Sequence, residues 1–213
     1  MSGSSAGLLG QTVVVIGTCT GVGLATARRA KREGAQLILT DRQAGPLEDV
    51  ADEIGVEATV AFDESDVGQL EAFLGGLPGH VDHVLLSGRE PYAARLGEID
   101  LARARGALDQ LLLPICLARY ARREMRGAGS LVFAAGARAE RPGEGRALAA
   151  IAAAALPALV ANLAVEAAPV RVNLIGRGPA DGAAAWAVRL MTDPMATGEV
   201  LDLGGQEGNA VCR

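Results

Sequence analysis

The sequence predicts a single α/β domain in which a parallel sheet is covered by helices on both faces. Three observations predict it. Short runs of β-branched and aliphatic residues alternate with helical segments along the whole chain. The first run, "TVVVIG" (12–17), is continuously apolar, as expected of a strand buried on both faces. A glycine-rich turn follows it directly and opens a helix. The length of 213 residues fits one domain, read as spanning residues 1–213, with the small polar start at 1–9 ("MSGSSAG") expected to be unstructured or tag-like.

The elements follow in order. The helix after the turn covers about 22–34, and "QLILTD" (36–41) is the second strand. "PLEDVADEIG" (46–55) reads as a helix stopped by glycine. "EATVAF" (57–62) is the third strand, "DVGQLEAFLGGL" (66–77) a helix and "VDHVLLS" (81–87) the fourth strand. One long helix is expected over about 98–126, then a fifth strand, "SLVFAA" (130–135). The helix at 145–166, "GRALAAIAAAALPALVANLAVE", precedes a sixth strand, "VRVNLI" (170–175). A helix near 183–192 and "GEVLDL" (198–203) close the chain. Strand–helix alternation of this kind builds right-handed crossovers and a parallel sheet.

Composition limits the partners. Half of the residues are apolar but only 3% are aromatic, so the core is aliphatic. The net charge of −5 argues against nucleic acid, which requires a basic face. The three cysteines, Cys19, Cys116 and Cys212, are widely spaced and match no metal or disulfide pattern, which points to a reducing, cytoplasmic setting. No signal-peptide pattern is read at the start. The longest apolar run, 147–161, is shorter than the ~20 residues a membrane span needs, so no membrane partner is expected.

In "VVVIGTCTGVGLATARRA", Gly17, Gly21 and Gly23 stand between strand and helix. Glycines here allow a tight turn, close backbone approach to a pyrophosphate and close helix packing. The helix N-terminus adds free N–H groups and partial positive charge. Asp41, 24 residues after Gly17, ends the second strand. Its carboxylate suits ribose hydroxyls and repels a 2′-phosphate. Arg42 beside it argues the other way, since a basic residue there suits NADP.

These segments resemble the short-chain dehydrogenase/reductase family nearly end to end. "IGTCTGVG" resembles its glycine motif, "FDESD" its adenine-contacting turn with Asp63 as the acid, and "LAVEAAPVRVNLIGRGP" and "TGEVLDLGGQ" its closing segments. The resemblance implies a seven-stranded, mostly parallel Rossmann sheet and a dinucleotide held by Gly17, Thr18, Cys19, Thr20, Gly21, Val22, Gly23, Asp41, Arg42, Asp63, Glu64, Ser87 and Gly88. With Asp41 at the ribose, NAD(H) is expected over NADP(H). The resemblance also implies a homodimer or homotetramer, built through the helices at 98–126 and 145–166.

The chain departs from the family in its chemistry. Family members transfer hydride with the help of a Tyr and a Lys four residues apart, a Ser and an Asn. Counting back from Asn173, the Tyr and Lys positions fall on Ala149 and Ala153; the Ser position falls on Gly136 or Ala135, and the Asn position near Leu111. The only lysine is Lys31, and the tyrosines are Tyr92 and Tyr120. Leu86 and Ser87 stand for the family's two asparagines after the fourth strand. "GRGPADG" runs almost directly into the next helix, so the family's substrate lid is absent. General acid–base work requires a titratable group within hydrogen-bond reach, and none stands at these positions. The expectation is an impaired enzyme or a dinucleotide-binding pseudoenzyme; the alternative is a divergent oxidoreductase using Tyr92 or the charged groups in 136–146.

Other features have plainer readings. Arg119, Arg122, Arg123 and Arg126 line one helix face and read as solvated rather than phosphate-binding. Arg138, Glu140, Arg141, Glu144 and Arg146 read as surface charges. His83 reads as a packed histidine rather than a base. Cys19 sits near a helix N-terminus, which lowers a thiol pKa, though packing against a cofactor is its favoured role. No metal site is expected.

Overall fold

The computed structural model describes residues 7–56, 58–78, 80–88, 92–125, 129–135, 143–176 and 178–204. Seven strands form one sheet: β1 (Thr12–Ile16), β2 (Gln36–Asp41), β3 (Ala58–Ala61), β4 (His83–Ser87), β5 (Ser130–Ala134), β6 (Arg171–Ile175) and β7 (Val200–Leu201). Their order is β3-β2-β1-β4-β5-β6-β7, and every pairing is parallel. This is the Rossmann arrangement. The chain leaves β1 toward β2 on one side and returns to β4 on the other. That reversal opens a crevice at the carboxyl ends of β1 and β4, where ligands bind in such sheets.

The helices are α1 (Gly21–Arg32), α2 (Ala44–Ile54), α3 (Val67–Gly75), α4 (Leu101–Asp109), α5 (Leu113–Glu124), α6 (Ala147–Glu166) and α7 (Ala180–Thr192). Alternate strand residues feed two cores, because successive side chains point to opposite faces. Val13 and Val15 pack with Leu37 and Leu39 under α1, α2 and α7. Val14 and Ile16 pack with Val84, Leu131 and Val172 under α3, α5 and α6. With few aromatics, these cores rest on aliphatic burial, at ~1.5–3 kcal/mol for each fully buried large side chain. The Asp66 carboxylate caps α3 by accepting from the Gly68 and Gln69 N–H groups at 2.8 and 3.1 Å.

Two expectations are corrected. The predicted helix over 98–126 is two helices separated by a 3-10 turn, Gln110–Leu112. Pro114 explains the break: it lacks an N–H, so it is tolerated in the first turn of a new helix, as here in α5, and not inside one. Of the start at 1–9, expected to be unstructured or tag-like, residues 1–6 lie outside the described residues, while 7–9 belong to a turn at 7–10 with Leu8 fully buried. Gly34 accommodates this turn: with φ +88°, its missing side chain would lie 2.9 Å from the Leu9 side chain.

Among the described residues, α6 is the one helix long and apolar enough to cross a membrane by length and composition. In the fold it links β5 to β6 and buries Val160 and Leu163 against the sheet. Its outer side stays open, with Ile151 46% and Val165 77% exposed.

Candidate functional site

The turn after β1 is shaped by its glycines. Gly17 (φ +80°) and Gly21 (φ +56°) occupy left-handed backbone that glycine adopts without strain. A Cβ on Gly17 would lie 2.7 Å from the Ser87 carbonyl, so the turn lies directly on the end of β4. A Cβ on Gly23 would lie 1.9 Å from the Gly17 carbonyl, so α1 can start this close only without a side chain. Beside Gly21 there is open space instead. The Gly17 and Thr18 N–H groups both donate to the Thr40 carbonyl at 3.0 Å, and the buried Thr18 hydroxyl donates to the Val15 carbonyl at 2.9 Å. Thr18 therefore secures the loop from beneath. Thr20, at the N-cap of α1, offers no side-chain cap, and the first turn holds no acid. The leading N–H groups of a helix have no intrahelical partner, so they face the open side of the loop with Val22 beside them.

Asp41 closes this cradle. Its Oδ2 accepts from the Cys19 N–H at 2.8 Å and its Oδ1 from the Arg42 N–H at 2.8 Å. The carboxylate is thereby fixed at the rim of the phosphate-type loop, while the Arg42 side chain is exposed. The lowered thiol pKa considered for Cys19 is corrected. Burial, then a hydrogen bond to Asp41 and the nearby negative charges of Asp41 and Glu64, push it up to about 12. Burial, together with these carboxylates, outweighs the helix N-terminus.

The next turn supplies Asp63 and Glu64. Asp63 Oδ1 accepts from the Ser65 N–H and hydroxyl, at 3.0 and 2.6 Å, which shapes the entry to α3. Glu64 is 6% exposed. On the far side of the crevice, the Gly88 N–H donates to the Ala134 carbonyl at 2.7 Å, so Ser87 and Gly88 hold β4 against the end of β5.

An apolar pocket of about 90 Å³ takes in two of the positions that the resemblance assigns to catalysis. Leu111 lies in the turn between α4 and α5 and lines it, as does Ala135 at the end of β5. Ala149 and Ala153 lie one turn apart on α6, half-buried. Gly136 lies outside the described residues, as do Arg126, Arg138, Glu140 and Arg141. Among the described residues, no three His, Cys, Asp or Glu side chains cluster as a metal site would require.

The other candidate groups have structural partners. The Tyr92 hydroxyl accepts from the Asp100 N–H at 3.2 Å, and the Arg103 guanidinium lies 4.7 Å over its ring. Tyr92 is thus held at the start of α4. Glu144 pairs with Arg95 at 3.0 Å, and Arg146 is exposed. Arg119 pairs with Glu71 at 3.4 Å, and Arg122 donates to the Glu166 carbonyl, so these two arginines of the face make local contacts. His83, 3% exposed, packs between Ser130 Oγ at 2.9 Å and Gln11 Oε1 at 2.6 Å. Burial, with the Arg171 charge, lowers its pKa to about 4 despite Asp82.

The connection from β6 to α7 is short. Only residues 176–179 separate β6 from α7. A Cβ on Gly178 would lie 2.4 Å from the Leu203 side chain, so this connection is pressed against the segment after β7. Asn173 fixes the same corner, donating to the Ala196 carbonyl at 2.9 Å and accepting from the Glu199 N–H at 3.0 Å. Sequence reasoning missed Arg171. Its buried guanidinium donates to the carbonyls of Leu190, Met191 and Ala196 and pins the end of α7 to β6. A lone charge inside "VRVNLI" was its only signal.

Comparison with known proteins agrees with this architecture. The sequence profile described as enoyl-(acyl carrier protein) reductase matches residues 17–198. The short-chain dehydrogenase/reductase ATR9 of Stachybotrys chlorohalonatus (strain IBT 40285) is 29% identical over 188 residues, covering 80% of this chain and 74% of its own. The crystal structure of BdcA in complex with NADPH superposes with a TM-score of 0.85 at 18% identity, over 92% of this chain and 94% of that one. The enoyl-(acyl carrier protein) reductase of Anaplasma phagocytophilum in complex with NAD superposes at 0.81 and 21% identity, over 91% and 90%. With its glycine turn, parallel sheet order and matched sequence, the chain belongs to the short-chain dehydrogenase/reductase family.

Proposed function

We propose that the chain binds a nicotinamide dinucleotide, NAD(H) in preference to NADP(H), and that its proton-transfer chemistry is lost or severely impaired. The observation that supports binding is the cradle of Gly17, Gly21 and Gly23 with the Asp41 carboxylate anchored at its rim. Each of two glycine positions excludes a side chain, while Gly21 leaves open space of the kind a pyrophosphate needs. The leading N–H groups of α1 would hold the phosphates and Asp41 the ribose hydroxyls. Solved relatives with NADPH and with NAD point to the same class of ligand.

When bound, the dinucleotide would supply a hydride at its nicotinamide ring. A carbonyl accepting that hydride also needs a proton at oxygen, delivered by a positioned acid. Leu111, Ala149 and Ala153 offer no such proton, and the short 176–179 connection supplies no lid of the kind that excludes water. Tyr92, the tyrosine nearest that edge of the sheet in sequence, is engaged by Asp100 and Arg103. The reading is therefore a dinucleotide-binding member with little or no turnover. We further propose that a second copy covers the open side of α6 and the adjoining face of α5.

Calorimetric titration of the chain with NADH and with NADPH tests the binding claim. Saturable binding of NADH, tighter than NADPH, is expected. No heat with either, or tighter NADPH, overturns it.

A further inference from the structure

Two side chains of opposite charge line a cavity at the amino edge of the sheet, the edge away from the glycine turn. The cavity holds about 390 Å³. It lies where β1, β4 and β6 begin. Gln11, Asp82, His83 and Arg171 line it from the sheet, and Met191 and Thr192 from the end of α7. Its volume falls at the lower end of the ~300–1,000 Å³ typical of small-molecule sites.

Arg171 is 7% exposed. It donates to the carbonyls of Leu190, Met191 and Ala196. A guanidinium carries five N–H donors, so these three acceptors do not exhaust it. Among the described residues it forms no salt bridge, and Asp193 acts on it only from longer range. Buried charges are ordinarily paired. Asp82, half-buried, accepts from the Thr12 N–H through Oδ2 at 2.8 Å, a contact that does not engage its Oδ1.

His83 stands within the field of both. Gln11 Oε1 can only accept, so His83 Nε2 carries the proton and Nδ1 accepts from the Ser130 hydroxyl. Burial and the Arg171 charge keep this ring neutral, against the pull of Asp82. The wall therefore presents one cation and one anion near a single uncharged ring.

This pairing of charges selects the guest. An anion would meet Arg171 but be repelled by Asp82 and Asp193. A cation would meet Asp82 but be repelled by Arg171. An uncharged guest would displace water from both groups and pair neither, at a cost in desolvation. A small zwitterion adds no net charge and satisfies both, as electrostatic complementarity requires. Pro169, Pro194 and Met191 supply an apolar part of the wall.

We infer that this cavity is a binding site for a small zwitterion of the α-amino-acid class. Its carboxylate accepts from Arg171, its ammonium donates to Asp82, and an aliphatic side chain lies against Met191 and the two prolines. The site does not rest on the dinucleotide reading, which concerns the carboxyl edge of the sheet.

The test is amide-resolved NMR of the full chain, titrated with L-valine. Isovalerate, which lacks the ammonium, and isobutylamine, which lacks the carboxylate, serve as controls. Valine should shift the amide signals of Asp82, His83 and Arg171 saturably. Each control should bind at least about tenfold more weakly, because it loses one charge-assisted hydrogen bond. D82N keeps an oxygen for the Thr12 N–H but loses the charge, so it should weaken valine at least about tenfold without weakening isovalerate. T192W, placed at an exposed position of the rim, should abolish the shifts. No saturable shift with valine, equal binding of either control, or unchanged valine binding in folded D82N or T192W would overturn the assignment. The controls on the wild type decide the matter should either variant fail to fold. NADH added to the same samples reads the glycine turn separately, through the amides of Gly17 to Gly23.

Discussion

The Asp41 carboxylate accepts a hydrogen bond from the Cys19 N–H at 2.8 Å, across 22 residues of sequence. This contact joins the end of β2 to the glycine turn after β1, and it fixes the carboxylate at the rim of that turn, where the proposed ribose contact would fall. D41A should therefore narrow the preference for NADH over NADPH. A change of about 1.4 kcal/mol in relative affinity, tenfold, is the expected scale. Paired calorimetric titrations of wild type and variant check it; an unchanged ratio would show that Asp41 does not read the ribose.

A second prediction rests on Gly23. A methyl group there would lie 1.9 Å from the Gly17 carbonyl, and backbone cannot yield as a flexible side chain does. G23A should lose measurable dinucleotide binding and cost about 1–3 kcal/mol of stability, the usual range for overpacking. Urea denaturation and NADH titration report the two effects. G21A adds its methyl group in open space but at φ +56°, so its damage should come from backbone strain instead.

The strands, the glycine turn and the two-faced core were legible in the sequence because each depends on local pattern. Continuous "VVVI" cannot satisfy a one-sided sheet, and Gly17, Gly21 and Gly23 stand at a fixed distance from a strand end. The break before α5 was also written locally, in Pro114, but the run of leucines around it reads as one helix. Other features depend on partners far apart in sequence. His83 meets Ser130 and Gln11, 47 and 72 residues away. The pocket exists only because α4 and α6 stand side by side over the ends of β4 and β5. The thiol of Cys19 shows the same limit: a helix N-terminus is visible in sequence, while the burial that overrides it is not.

His83 makes stability depend on pH. Its folded pKa, about 4, lies below the ordinary 6.5. The unfolded chain therefore takes up a proton first as pH falls, and this stabilisation, complete above 6.5, is lost progressively down to 4. The wild type should lose about 3 kcal/mol more than H83Q between pH 7 and pH 4. Urea midpoints across that range measure it; parallel curves for the two proteins would refute the assignment.

The open side of α6 predicts assembly. Ala154 is exposed in the single chain, so a charge there is harmless to one copy. Buried without a partner between two copies, it would cost several kcal/mol. A154E should fold and bind dinucleotide as the wild type does, but sediment as a smaller species. A wild type that already sediments as a monomer contradicts the second-copy proposal.

The central claim, that the dinucleotide is held while the chemistry is lost, is tested most directly by following NADH fluorescence in the presence of the chain and a panel of ketones, quinones and enoyl thioesters. The account predicts that nicotinamide fluorescence changes on mixing, as NADH binds, and then stays constant with every compound. Steady loss of the NADH signal with any of them, above the rate without protein, would contradict it, and so would the absence of any change on mixing.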